Sequence, residues 1–341
     1  MKILSDFSIE ELKTELADIP AFRVKQIFDA IIQAKDYADT NLSKDVQSKL
    51  KEEYILKPIS IFKTLQSKDG TKKYLLALND GNIVECVFLK QNYGNTICMS
   101  TQVGCRMGCK FCASTTKGLI RNLTPGEMLS TIAVVNADNG RCNERNFSNI
   151  VLMGSGEPLD NFDNVIKWIQ LVTSKDSFNV SERNISLSTC GLVDKIYDLS
   201  KLNLNITLCL SLHATTDEIR KNIMPIANRY SITEIMKAIR DYVSINSRRV
   251  VFEYCLIKDK NDSIDDINRL KELTKGLLCH VNVICLNPNG GSLKATTHKE
   301  AVDFVDRLNK AGVSATLRRS QGSDIEGACG MLRAKTLKEN E

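Results

Sequence analysis

No run of apolar residues in the 341-residue chain approaches the ~20 that a membrane-spanning helix needs, which excludes a helical membrane protein. The first residues, MKILSDFSIEELKTEL, turn acidic and amphipathic too soon for a secretory signal. A large charge of one sign is also missing. Lys and Arg number 46 against 41 Asp and Glu, and the net +5 permits a polyanionic partner without demanding one. Apolar residues at 43% and charged residues at 26% are ordinary for a soluble globular protein. Cysteine is the exception. Twelve cysteines without an export signal argue against a disulfide scaffold and for a reducing compartment, so a cytoplasmic protein without a membrane partner is expected.

Residues 1–55 read as a small helical module. Ser8 followed by Glu11 forms a capping box ahead of an Ile9, Leu12, Leu16 stripe, and further helical patterns run from about Phe22 to Ala34 and from Leu42 to Leu50. The period then changes. Asp69-Gly70 and Asp80-Gly81 are hairpin signals between ISIFKTL, KKYLLAL and NIVECVFL, which predicts an antiparallel meander over residues 56–94. From residue 95 to 341 strand patterns at Ile97–Val103, Asn149–Met153, Ile185–Thr189, Ile206–Leu212, Val250–Ile257, Val281–Leu286 and Val313–Arg318 alternate with helical ones. The helical patterns are Thr124–Val135, Phe162–Thr173, Leu192–Leu202, Ile232–Ile245, Ile264–Leu273 and Lys299–Ala311. Such βα units imply a parallel sheet flanked by helices, and six are too few to close an eight-stranded barrel. An open partial barrel is expected, with its chemistry at the carboxyl ends of the strands.

Unusual motifs fall at those ends. Gly104 to Ala113 reads GCRMGCKFCA, with Cys105, Cys109 and Cys112 in a C-x3-C-x2-C spacing. Three thiolates can hold a metal centre but fall short of the four protein ligands of a structural zinc or an electron-carrying cluster. They suit a cubane with one open iron; zinc with a distant fourth ligand, or three unrelated core cysteines, are the alternatives on spacing alone. Gly154 to Pro158 (GSGEP) lets backbone approach a ligand and offers Glu157 to an ammonium, though a tight turn would use the same residues. Ser188 in STCG, Ser211-Leu212-His213 and Asn287 before Pro288 put hydroxyl, imidazole and amide groups at further strand ends. Cys98 reads as a small core hydrophobe, and Glu85 as a surface strand residue. Cys329, in a flexible glycine-flanked loop, is a poor core candidate and is expected to move and react. Basic pairs such as Arg248-Arg249 and Arg318-Arg319 could touch phosphates or simply face solvent.

The order VECVFL, CMSTQVGCRMGCKFCA, MGSGEPLDN, LSTCG, SLHA, MPI, CHVN, NP and RRSQGSDIEGACG resembles the RlmN-type RNA adenine C2-methyltransferases, a radical S-adenosylmethionine (SAM) family, from about Val84 to the C-terminus. The resemblance implies an α/β fold, an open partial (βα)6 barrel of the radical SAM type at 95–341. Residues 1–55 would be an RNA-facing accessory and 56–94 a connector. It implies one [4Fe–4S] cluster on Cys105, Cys109 and Cys112, two SAM per turnover, and SAM contacts at Gly156, Glu157, Ser188, Ser211, Leu212, His213 and Asn287. Adenine C2 is electron-poor and cannot attack the methyl of SAM as a nucleophile. In the family the residue matching Cys329 therefore takes a methyl from one SAM, and a deoxyadenosyl radical from a second SAM activates that methyl for addition to C2. The matching Cys98 then attacks the Cys329 sulfur, forming a disulfide and releasing the product, and Glu85 matches the proton acceptor. The implied substrates are adenine 2503 of 23S rRNA, with adenine 37 of tRNA as a second candidate, giving 2-methyladenosine. The implied partners are flavodoxin or ferredoxin and a disulfide reductant, acting on a monomer. Cys86, Cys142, Cys190, Cys209, Cys255, Cys279 and Cys285 are left to structure.

Ser155 stands where the family often has a larger apolar residue. Cfr-type resistance methyltransferases use the same cysteines at C8 of the same adenine and usually carry alanine where Pro158 stands, so Pro158 favours C2. A zinc-stabilised RNA-binding protein without catalysis is the alternative from another class. A radical SAM activase or methylthiotransferase explains neither Cys98 nor Cys329, and the latter usually brings extra cluster cysteines that are missing.

Overall fold

Parallel strands covered by helices on both sides are ordinarily apolar on both faces. The parallel strands of this protein carry polar groups on one face, and the architecture follows from that. The computed structural model describes residues 1–287 and 291–331, so Pro288 of the NP motif lies outside the described residues.

Strand β1 (Lys2–Ile3) pairs in parallel with β2 (Tyr54–Ile55), bracketing helices α1 (Ile9–Glu15), α2 (Ala21–Ile32) and α3 (Lys44–Glu53). The capping box is formed: Glu11 N donates to Ser8 Oγ at 3.2 Å and Ser8 N to the Glu11 carboxylate at 2.7 Å. The two-residue strands carry no period to read. This module docks on α4 (Pro125–Asp138), where Ser5 Oγ donates to Gly126 O at 3.0 Å and Gly126 N to Asp6 at 2.7 Å.

Strands β3 (Ile59–Gln66), β4 (Lys72–Leu78) and β5 (Ile83–Leu89) form the meander and turn at the two Asp-Gly pairs. The meander continues the main sheet, because β5 pairs antiparallel with β6 (Thr96–Met99). The expected strand Ile97–Val103 is split: β6 stops at Met99, and β7 (Gln102–Gly104) pairs with β8 (Leu119–Asn122). The GSGEP turn causes the break. Thr101 N and Gln102 N donate to Ser155 O at 2.9 and 3.2 Å instead of extending the ladder. The turn packs so closely that a Cβ on Gly154 would lie 2.6 Å from the Met99 carbonyl carbon.

The remaining units are β9 (Asn149–Leu152), α5 (Phe162–Thr173), β10 (Ile185–Thr189), α6 (Val193–Ser200), β11 (Thr207–Ser211), α7 (Asp217–Ile223), α8 (Ile232–Asn246), β12 (Val250–Leu256), α9 (Ile264–Thr274), β13 (Cys279–Cys285), α10 (His298–Lys310) and β14 (Ala315–Leu317). The ten-stranded sheet runs β14-β13-β12-β11-β10-β9-β6-β5-β4-β3, parallel as far as β6, with β14 and β3 at its two edges. Leu152, Leu187, Leu208, Leu210, Phe252, Tyr254, Val281 and Val283 are buried in the core. The alternate positions Cys98, Val151, Ser186, Cys209, Glu253, Asn282, Thr316 and Arg318 line a single cavity of about 980 Å³. One face of seven consecutive strands can surround one cavity only if the sheet curls about it, which makes the open partial barrel. Among the described residues no helix is long and apolar enough to cross a membrane.

Candidate functional site

The cysteine loop between β7 and β8 is pinned from three sides. Cys105 N donates to Gly118 O at 2.9 Å, Lys110 N to Ile223 O at 2.9 Å, and Ala113 N to Gly330 O at 2.8 Å. Cys105, Cys109 and Cys112 line one cavity with Gly156, Glu157, Ser188, Ser211, His213, Asn287 and Cys329. Among the described residues no group of three His, Cys, Asp or Glu is arranged to hold a metal ion.

A buried cation supports an anionic occupant. Arg220 is fully buried, and its Nε and Nη2 donate to the carbonyls of Leu212, Cys190 and Ser211 at 3.1, 2.7 and 3.2 Å. Its Nη1 has no hydrogen-bond partner among the described residues, and its charge is felt at Cys109. A buried, unpaired guanidinium is costly, and a thiolate-bound cluster would supply the missing negative charge. Burial pushes the Cys105 thiol up to about 12 and raises Cys109 and Cys112 as well, so all three need a cationic centre to become ligands. The sequence reading missed Arg220, which sits in a helix, DEIRKNI, without an apolar stripe long enough to read.

On the neighbouring strands, the Glu157 carboxylate accepts from Leu159 N at 3.1 Å and from Cys190 N at 2.8 Å. Burial raises its pKa, against the hydrogen bonds it accepts from Cys190, Thr189 and Leu159. The GSGEP glycines were expected to admit a ligand; their closest approach is to the protein's own residues 99–102. Ser155, standing where the family often has a larger apolar residue, joins its Oγ to Ser114 Oγ of the cysteine loop at 3.2 Å. Ser188 and Ser211 hydroxyls lie 3.4 Å apart. His213 Nδ1 accepts from Cys255 N at 2.9 Å, which leaves the ring proton on Nε2. Burial, helped by Arg220, holds this histidine down to about 3, so it is a neutral donor. Phe111 of the cysteine loop packs edge-on against it at 4.7 Å. Leu212 is buried and does not line this cavity. Asn287 Nδ2 donates to Cys329 O at 2.9 Å.

Cys98 and Cys329 sit where two cavities join. Cys98 lines the large inner cavity, and Cys329 lines both that cavity and the one with the three cysteines. Burial, and then the Cys329 thiol, push Cys98 up to about 12, while Arg318 acts against them. The Arg318 guanidinium lies 3.6 Å from the Glu253 carboxylate, which accepts from Asn282 Nδ2 at 3.1 Å. Its own pKa is raised, first by Cys329. Arg318 is thus an interior cation as well as half of a basic pair. The acid in the middle of VVFEYCL was the signal for its partner. Cys190, Cys209, Cys255 and Cys285, left to structure, line one or both cavities.

Glu85 is not a surface residue. It is 2% exposed and pairs with Lys73 Nζ at 2.8 Å, itself 3% exposed. Strand β5 lies inside the sheet, and Glu85 shares its face with Val87 and Leu89, which line the inner cavity. Lys73 Nζ also donates to Glu326 O at 3.1 Å. The loop carrying Cys329 is further tied to the meander by Ser67 Oγ to Asp324 at 2.6 Å, Gly322 N to Asp69 at 2.9 Å and Gln91 Nε2 to Gln321 Oε1 at 2.9 Å. A segment expected to be loose is therefore anchored, and the meander is its anchor.

The model of the Radical SAM superfamily matches residues 99–273. A Clostridium perfringens protein named "Probable dual-specificity RNA methyltransferase RlmN" is 49% identical over 99% of this chain and 98% of its own length. A Clostridium acetobutylicum protein of the same name is 48% identical over 100% of this chain and 99% of its own. The crystal structure of a radical SAM methyltransferase from Sphaerobacter thermophilus superposes with a TM-score of 0.92 at 39% identity, covering 98% of this chain and 100% of that one.

Proposed function

Since the chain belongs to the RlmN family of radical SAM RNA methyltransferases, we propose that it methylates C2 of an adenosine in RNA by way of S-methylated Cys329. The proposed targets are adenine 2503 of 23S rRNA and adenine 37 of tRNA. Cys105, Cys109 and Cys112 would hold the cluster, and Gly156, Glu157, Ser188, Ser211, His213 and Asn287 would face SAM, the pair supplying one-electron cleavage of SAM to an adenosyl radical.

One observation carries this reading: Cys329 lines both cavities, as Cys285 does, and of the two it is the Cys329 thiol that acts on Cys98 and Arg318. It can receive a methyl from the SAM side and present it to a base on the other. Arg318 faces both thiols, and its charge works against the burial of Cys98. Once the carbon has joined the base, Cys98 supplies the resolving thiolate. The S–S bond to Cys329 forms as the S–C bond breaks, the bond pair passes to the carbon, which takes up a proton, and a dithiol reductant reopens the disulfide. Glu85 is the proposed proton acceptor, held by Lys73 on the same wall. Residues 1–55 are the proposed RNA-facing accessory, 56–94 the anchor of the Cys329 loop and 95–341 the catalytic core, working as a monomer in the cytoplasm with flavodoxin or ferredoxin as electron donor.

The test is mass spectrometry of nucleosides from rRNA and tRNA after anaerobic incubation with reconstituted protein, SAM and a reductant. The expected product is 2-methyladenosine. An 8-methyladenosine product, or no methylated adenosine from protein with a loaded cluster, overturns the proposal.

A further inference from the structure

The inner cavity also opens at the opposite end of the sheet from the cysteine loop. Thr96, Asn149, Ser186, Thr207 and Val251 line it there, each the first or second residue of its strand. Four cations, Lys90, Arg183, Arg318 and Arg319, face this space against one acid, Glu253, which already faces Arg318. Lys90, Arg183 and Arg319 are exposed and have no ion-pair partner among the described residues. Arg248 stands beside the same rim, donating to Thr207 Oγ1 at 3.4 Å. Cations without counter-charges around a polar opening attract an anion.

An aromatic ring stands among them. Tyr93 lines the opening and is 78% exposed. The turn behind it packs closely on its neighbour: Gly94 has a φ of +117°, and a Cβ there would lie 2.6 Å from Ser148 Oγ. The ring is thus presented to solvent at the edge of a basic cavity.

We propose that RNA enters through this opening, with Tyr93 stacking on a nucleotide beside the target adenosine and Lys90, Arg183 and Arg319 holding the flanking phosphates. This rests on the reading of the chain as an RNA methyltransferase. A cavity of about 980 Å³ admits an unstacked nucleotide and no duplex, so the form that fits is a single-stranded loop. Entry at this end brings the base to Cys329 from the side away from the SAM contacts.

The experiment is fluorescence anisotropy of a labelled RNA hairpin with a loop adenosine, titrated with the full chain across a range of salt. Tyr93→Ala is expected to weaken binding about tenfold and Tyr93→Trp to restore it, the size expected of one base–aromatic stack. The Lys90→Ala/Arg183→Ala/Arg319→Ala variant is expected to lower the slope of log affinity on log salt by about 2, from ~0.7 per single-strand phosphate contact. Lys201→Ala/Lys275→Ala, on the outer surface, is the charge control and keeps the wild-type slope. Should the triple variant not fold, Arg183→Ala alone carries the test, with a slope change of about 0.7. Wild-type slope in the mouth variants, or an equal loss in the control, overturns the inference. A wild type that makes 2-methyladenosine while the mouth variants bind normally removes this inference alone. A slope change at the mouth with no methylated adenosine removes the functional reading and keeps the RNA site.

Discussion

Replacing Lys73 by Met would take the Lys73 ammonium away from the Glu85 carboxylate in the wall of the barrel. The two side chains are 3% and 2% exposed and 2.8 Å apart, so the pair is a buried one. Removing one partner of such a pair costs about 3–5 kcal/mol. With an unfolding entropy of ~2.1 cal/mol/K per residue, 341 residues give about 0.7 kcal/mol/K, so the melting temperature should fall by about 4–7 °C. Circular dichroism on wild type and variant reads this directly. The carboxylate can shed part of that cost by taking a proton, so the deficit should shrink as the pH is lowered. The substitution also releases Glu326 O and with it a tie on the Cys329 loop, so methyl loading of Cys329 should slow as well. A Lys73→Met/Glu85→Met variant separates stability from function. With neither charge buried, melting should return to within about 2 °C of wild type, because buried pairs replaced by apolar groups are often neutral. Turnover should stay lost, since the proposed proton acceptor is gone. A Lys73→Met protein that melts like wild type at neutral pH would refute the reasoning, because the pair would then not be dry.

Cys329→Ala should abolish methylation while iron–sulfur absorbance is kept; loss of the cluster in that variant would make Cys329 a ligand. Cys98→Ala should leave a protein–RNA adduct on a denaturing gel, and free, normally methylated RNA would discard its resolving role. His213 is held down to about 3 in the fold and titrates near 6.5 when unfolded, so the unfolded chain takes the proton first. Stability from this group is complete above about pH 6.5 and lost as pH falls, by about 2 kcal/mol between pH 7 and pH 5. Urea unfolding of His213→Asn at the two pH values should show that difference removed; an unchanged difference would mean the ring is not excluded from water. Arg318→Met removes the cation that works against the burial of the Cys98 thiol, so resolution should slow and the protein–RNA adduct should accumulate, with Arg318→Lys recovering part of the loss. An adduct level like that of wild type would take Arg318 out of thiol activation.

What could be read from the sequence was whatever neighbours in the chain determine. The cysteine spacing, the Ser8 and Glu11 cap and the two Asp-Gly turns are local, and each stands where its pattern put it. Glu85 could not be read the same way. Its burial depends on β5 pairing with β6 on one side and β4 on the other, and on a lysine from another strand. The hold on the Cys329 loop joins Ser67, Asp69 and Lys73 to residues about 250 positions away, which no window of sequence contains. The split of the first barrel strand has the same origin, in a turn 50 residues downstream that takes two of its donors. One signal was present and went unused. ISLST and TLCLS alternate apolar with hydroxyl and thiol groups, and a parallel strand covered on both faces would bury those polar groups in a dry core at a cost. Alternation in a parallel strand therefore requires one face to be hollow and wet. The same residues that carry that alternation, Ser186, Ser188, Cys209 and Ser211, line the two cavities between which Cys329 stands. In this chain the pattern that shapes the barrel and the pattern that makes room for its chemistry are one pattern.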